Sequence, residues 1–298
     1  ALIGPNAARV MLQGGGSSQV VSEGVPTMAA GLRSRLGPGV TVLEALGVDN
    51  DPFPPAADRT RFSPDETRSA EGLAAAYFPT ADLTGEPNST GIERHMARWV
   101  AGAMATARRP AYGAFRWSGW FWPEADGTYE FGLRATGTAT LTLDGAALIG
   151  PDDPASTDRY DVIGALVPRR LATAELAAGR GYRIQLDYVP ASPDSDFVAL
   201  GLRPPAEPMS RALEAAAAAD AVILVLGSAA VTEAEGYDRP DMDLPGNQDA
   251  LARAVLAANP RTVVVLNTGS PFALPWIDEA AAVLQMWLPG ETGPDALA

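Results

Sequence analysis

The chain contains no cysteine and no lysine, and only one histidine, His95. The missing cysteines exclude disulfides, thiolate catalysis, iron–sulfur clusters and cysteine-based zinc sites, and leave redox compartment unreadable. A single imidazole leaves no histidine-rich metal site, and no metal is expected. Long hydrophobic runs are also missing. A bilayer-spanning helix needs about 20 apolar residues, whereas the longest runs here, AVILVL from Ala221 and TVVVL from Thr262, are strand-sized. The opening ALIGPNAARVMLQGGG has neither the basic start nor the apolar core and cleavage site of a signal peptide. It reads as a strand already under way. The chain is therefore expected to be soluble, cytoplasmic or secreted, with the compartment left open.

Positive charge is scarce. Twenty-two basic residues, all arginine, face 36 acidic ones, for a formal charge of -14. A polyanion needs a basic surface that releases counterions, so nucleic acid is excluded as a partner. Anionic membranes are disfavoured on the same ground. A neutral partner such as a sugar remains compatible, as does a homo-oligomer.

Apolar residues make up 47% of the 298, enough for real cores, and 30 glycines with 26 prolines imply many turns. The N-terminal part alternates strand and helix: ALIG with a Gly-Pro-Asn turn, a glycine-rich loop, helix PTMAAGLRSRL opened by Pro26, strand VTVLEAL. Residues 47–72, rich in Pro, Asp and Arg, read as linker. From Leu73 to Leu202 short alternating strands recur between turn signals, as in an antiparallel β-sandwich. After PPAEP the α/β style resumes. Helix MSRALEAAAAADA leads to strand VILVLG, helix GNQDALARAVLAA presents Leu251, Ala254, Val255 and Ala258 on one face, and strands TVVVLN and AAVLQMW follow. Near-continuous apolar strands alternating with helices indicate a largely parallel sheet covered on both faces. The expected architecture is an α/β domain in two segments, 1–69 and 206–298, interrupted by an inserted all-β antiparallel sandwich, 70–205.

In such sheets ligands bind beyond the carboxyl ends of the strands. There the chain places VTEAEGYDRPDMDLPGNQ, with Glu233, Glu235, Asp238, Asp241 and Asp243 inside eleven residues. A solvated acidic turn is the plain reading. The bracketing Gly236, Pro240, Pro245 and Gly246 and the cation Arg239, within reach of several carboxylates, favour a held constellation instead.

The segment EAEGYDRPDMDLPGNQDALARAVLAANPRTVVVLNTGSP resembles the second domain of glycoside hydrolase family 3, the β-glucosidases and their relatives. ALIGPNA with GGGSSQV, and LPGETGPDALA, resemble other segments of that domain. FRWSGWFWPEADGTYEFGLRATGTATLTLDGAALIG resembles the protective-antigen-type β-sandwich inserted in some of these enzymes. The resemblance implies a retaining exo-acting β-glycosidase, with two carboxyl groups about 5–5.5 Å apart. Its nucleophile is an aspartate on a preceding (β/α)8 barrel, which has no match in this chain. Its acid/base glutamate comes from this domain. Glu235 matches that position, with Glu233 as the rival because relatives often carry Glu-x-Glu-Gly. The expected substrate is a small glycoside or oligosaccharide, the expected partner the barrel of the same parent protein, and no organic cofactor is needed. The 298 residues alone are expected to be inactive.

Other features carry weaker expectations. Trp117 and Phe121 share one strand parity, Trp120 and Trp122 the other. One pair should be core; Trp120 and Trp122 are the candidates for sugar contact, with packing as the alternative. The glycine run Gly14–Ser18 lacks dinucleotide spacing and is expected at a domain contact. Asp152 and Asp153 could bind calcium but more simply form a turn, and His95 is expected at the surface. The rival functional class is a non-catalytic carbohydrate-binding sandwich.

Overall fold

The computed structural model describes residues 1–15, 25–51, 53–101, 113–155, 167–191, 195–207, 209–229, 232–234 and 238–298. They form two compact units, one drawn from Ala1–Pro52 with Ala206–Ala298, the other from Phe53–Asp158 with Leu166–Pro205.

The first unit is built on an all-parallel sheet, in the order Ala282–Gln285, Thr262–Asn267, Val222–Gly227, Leu2–Ile3, Glu44–Ala45. Alternate side chains of the apolar strands feed opposite faces. Val222, Leu224, Leu226 and Ile3 pack with Ala212 and Ala216 of helix Met209–Ala218 and with Leu251 and Val255 of helix Gln248–Ala258. Leu2, Val225 and Val265 pack with Met28 and Leu32 of helix Met28–Leu36 on the other side. Covering both faces leaves little room for polar residues inside these strands, which is why they read as unbroken apolar runs.

Several local expectations are corrected. The helix expected to open at Pro26 is capped by Thr27, whose hydroxyl accepts from Ala30 N at 3.1 Å. The Gly-Pro-Asn segment is a helical turn, Pro5–Ala8, and Gly4 precedes it with φ 115. A Cβ there would sit 2.2 Å from Val225 O, so only glycine fits. Of VTVLEAL only Glu44–Ala45 pairs as strand. Helix Gln248–Ala258 buries Leu251, Ala252, Val255 and Leu256, while Ala258 faces solvent. Turning the stripe towards Leu256 covers more apolar area than turning it towards Ala258. Edge strand Ala282–Gln285 exposes Val283 by 36% and Leu284 by 48%, on opposite faces.

The second unit is antiparallel throughout. One sheet runs Ala146–Ile149, Thr138–Leu143, Tyr182–Val189, Ala114–Phe121, Leu73–Phe78, Ser89–Glu93. The other runs Arg169–Leu176, Gly127–Ala135, Ser195–Arg203, Ala97–Ala101. Phe115, Trp117, Phe121, Phe131, Leu133, Leu186, Tyr188 and Leu200 fill the core. Part of the stretch read as linker belongs here: Phe62–Ser63 pairs with Phe121 and Trp120, and Phe53 and Phe62 are buried. Aromatic side chains set singly among Pro and Asp carry no periodicity, so pattern alone misses them. Strand Arg169–Leu176 was also unread, because among the described residues it pairs with Gly127–Ala135 alone, and it alternates half-exposed and exposed side chains over most of its length.

Candidate active site

In the first unit, three neighbouring parallel strands end at one edge, which brings Asn6, Ser228 and Asn267 together although they are far apart in sequence. Asn6 Nδ2 donates to Ser228 O at 3.0 Å and to Asn267 Oδ1 at 3.1 Å. Asn50 Nδ2 donates to Asn6 Oδ1 at 2.7 Å. Asn267 Oδ1 also accepts from Met11 N at 2.7 Å, and its Nδ2 donates to Met11 O and Trp287 O at 2.9 and 2.8 Å. The buried Gln248 amide accepts from Gly227 N at 2.9 Å and donates to Gly227 O at 2.8 Å. A buried amide left unpaired costs about 1–3 kcal/mol, so a satisfied lattice of them fixes the chain's exit from the sheet.

That lattice presents Ser228, and Ser228 holds Glu233. Its hydroxyl donates to one oxygen of the Glu233 carboxyl, and Ser270 Oγ donates to the other at 2.5 Å. Gly269 makes this approach feasible, since a Cβ there would lie 2.7 Å from Glu233 Oε1. The Glu233 backbone is tied as well: its N donates to Ala229 O at 3.1 Å and its O accepts from Gly15 N at 3.1 Å. Gly15 and Ala234 form a parallel bridge. Gly15 of the glycine run thus braces the acidic loop; the run beyond Gly15 lies outside the described residues.

Glu235, with Gly236 and Tyr237, lies outside the described residues. Beyond it, the described residues do not form the constellation expected around Arg239. Arg239 Nη2 donates to Pro271 O at 2.9 Å and its guanidinium carbon lies 3.9 Å from the centre of the Phe272 ring. Among the described residues it pairs with no carboxylate. A planar cation can stack on an aromatic face and still use its N–H edge, and Phe272 with the adjoining carbonyl offers both. Asp238, Asp241 and Asp243 are exposed, and Asp241 Oδ1 accepts from Asp243 N at 3.1 Å in a local turn. These acids are solvated; Leu244, buried, anchors the far end of the loop.

In the second unit Trp117 and Phe121 are fully buried, while Trp120 and Trp122 are partly exposed, their centroids 6.1 Å apart at 24°. Asp153 Oδ2 accepts from Gly150 N at 2.7 Å, closing the turn that contains Asp152. His95 is exposed. Among the described residues no cluster of His, Asp and Glu is arranged to hold a metal, and no helix is long and apolar enough to cross a membrane. The hydroxyls of Ser228 and Ser270 were missed in the sequence; their only signal is a position just past an apolar run.

Residues 1–298 match the glycosyl hydrolase family 3 C-terminal domain. The whole chain aligns at 30% identity with a beta-glucosidase of Rhizobium radiobacter, covering 36% of that protein. It aligns at 28% with probable beta-glucosidase J of Aspergillus fumigatus, covering 37%. Among solved structures, the beta-glucosidase of Kluyveromyces marxianus in complex with glucose superposes on 99% of the chain with a TM-score of 0.86 at 26% identity, and the chain covers 37% of it. The chain thus spans little more than a third of the length of these relatives.

Proposed function

Since the chain belongs to the glycosyl hydrolase family 3 C-terminal domain family, we propose that it supplies the acid/base half of a retaining, exo-acting β-glycosidase, of β-glucosidase type, within a longer protein. Glu235 is the acid/base and Glu233 the positioning residue that anchors its loop. The observation that carries this division is the clamp on Glu233: both carboxyl oxygens already accept from Ser228 and Ser270, so the group is engaged within the fold. Glu235 follows two residues later in the sequence, and the described residues just before it, Glu233 and Ala234, are braced by Gly15.

The partner is a (β/α)8 barrel of the same parent, contributing the nucleophilic aspartate. Glu235 gives its proton to the glycosidic oxygen as the aspartate attacks the anomeric carbon, and the leaving alcohol departs. The carboxylate then takes a proton from water, which releases the sugar from the glycosyl–enzyme ester. The antiparallel unit is read as a protective-antigen-type module, with Trp120 and Trp122 as contributors to sugar binding. Substrates are terminal β-linked sugars of small glycosides, and two carboxyl groups suffice without a cofactor.

A panel of nitrophenyl glycosides on the full-length parent tests the assignment. Glu235→Ala should lower kcat by orders of magnitude, and azide should restore turnover by capturing the glycosyl–enzyme. Glu233→Ala should impair stability and activity without azide rescue. Rescue of Glu233→Ala alone would exchange the two roles. Sugar binding by the chain that depends on Trp120 but ignores Glu235, in a parent without hydrolysis, would favour a non-catalytic binding module.

A further inference from the structure

The second unit carries a small open cavity, walled in part by Trp122, that the proton-transfer chemistry at the acidic loop does not use. Its volume is about 280 Å³, and its walls include Thr60, Ser63, Arg68, Ser69, Glu71 and Trp122. Small-molecule sites run from roughly 300 to 1,000 Å³, so this one suits a single ring and not a chain.

The wall is built from a tightly tied turn. Asp65 accepts from the backbone N–H groups of Thr67 and Ser69 at 2.9 and 3.2 Å, and from both of their hydroxyls. Those bonds hold its carboxyl down at about 2. Arg68 N donates to Asp65 O at 3.3 Å, and Arg68 takes φ 58, a left-handed conformation that a side chain bearing Cβ resists. Such outliers gather at ligand clamps.

This backbone lays the Arg68 guanidinium on Trp122, 3.9 Å from the ring centre. Trp122 is itself immobilised: Nε1 donates to Ser63 Oγ at 2.8 Å, the Ser63 hydroxyl donates to Asp65 O at 2.7 Å, and Trp120 stacks beside it. The result is an oriented fork of N–H donors. Among the described residues Arg68 pairs with no carboxylate. Across the cavity Glu71 is within 3.2 Å of Arg59, so one cation already balances it.

The lining selects its ligand by exclusion. Arg68 lies on the Trp122 indole and Trp120 stacks beside it, so this wall matches a polar ring better than an aromatic or apolar one. An anion would meet Glu71 and the ionised Asp65 nearby. A neutral ring with adjacent hydroxyls meets donors at Arg68, an acceptor at Glu71 and a hydroxyl of either sense at Thr60. We propose that this cavity binds a neutral monosaccharide ring through a pair of vicinal hydroxyls held by the Arg68 guanidinium and Glu71. The site lies within one unit and rests on the sugar-binding part read for Trp122, not on the acid/base assignment of Glu235.

The test follows the Trp122 indole N–H resonance of the 298-residue chain during titration with methyl β-glucoside. Saturable shifts in the millimolar range are expected. Arg68→Asn, which tolerates a left-handed backbone, should weaken binding at least ten-fold with an unchanged thermal midpoint. Glu71→Gln, which keeps the shape of the side chain, should weaken it as well. Glu235→Gln should leave it untouched, which separates this site from the catalytic one. No saturable shift, full binding by both cavity variants, loss of binding in Glu235→Gln, or tighter binding of glucuronate than of the glucoside would each overturn the proposal.

Discussion

Ser270 Oγ donates to Glu233 Oε1 at 2.5 Å, across 37 residues of sequence, and so pins the acidic loop to the end of the neighbouring strand. A hydrogen bond to a charged group contributes about 1.5–3 kcal/mol to stability. Glu233→Gln keeps the shape but turns an NH2 towards one of two hydroxyls. It should lower stability by about that amount in chemical denaturation, and an unchanged midpoint would remove Glu233 from the anchoring role. Gly269→Ala should act in the same direction without touching the charge, because its Cβ would lie 2.7 Å from Glu233 Oε1.

The two tryptophan parities predict very different costs. Trp117 is fully buried and its ring centre lies 5.0 Å from that of Phe115. Trp117→Ala should destabilise by about 3–5 kcal/mol, read as a large drop in the urea midpoint. Trp120→Ala removes a half-exposed ring and should cost clearly less. Equal costs would contradict the placement of the pairs.

The Asp65 turn predicts a pH window. Four hydrogen bonds favour its ionised form, so the folded carboxyl titrates at about 2 instead of the ordinary 3.8. A depressed folded value means that the stabilising contribution is full above 3.8 and fades as pH falls towards 2. The stability difference between the chain and Asp65→Asn should therefore be constant near neutrality and shrink over that range in acid melts. A difference that persists below pH 2 would show that the bonds do not depend on the charge.

The edge strand Ala282–Gln285 predicts self-association. Both faces are apolar and exposed at Val283 and Leu284, no further strand among the described residues pairs with it, and such an edge is a template for pairing. The isolated chain should sediment with a concentration-dependent mass, and Leu284→Lys should reduce that dependence. A monodisperse monomer at high concentration would show that the edge is inert.

What pattern could reach in this molecule depended on range. The strands Val222–Gly227 and Thr262–Asn267 were legible because burial on both faces demands an apolar run whatever the neighbours are. Strand Arg169–Leu176 was not, because among the described residues it has one partner, and its alternation is interrupted by arginines and a glutamate. The helix Gln248–Ala258 was found but its face was rotated, since several alanines offer no size contrast from which to read orientation. Arg239 shows the limit most clearly. Its charge suggested carboxylate partners within the loop, whereas the partners found among the described residues are the Phe272 ring and Pro271 O.

The sequence by itself determined the alternation of apolar runs and turns, the two styles of β structure, and the position of an acidic loop after a buried strand, because these follow from periodicities of two and 3.6 residues along one chain. Only the tertiary structure decided that Glu233 lies between Ser228 and Ser270, that Asn6, Asn50 and Asn267 share one buried lattice, and that Arg68 stacks on Trp122. Those pairings join residues whose local surroundings carry no sign of each other. Strand order and backbone approach create them, and a hydroxyl or an amide in a sequence does not announce which distant group it will meet.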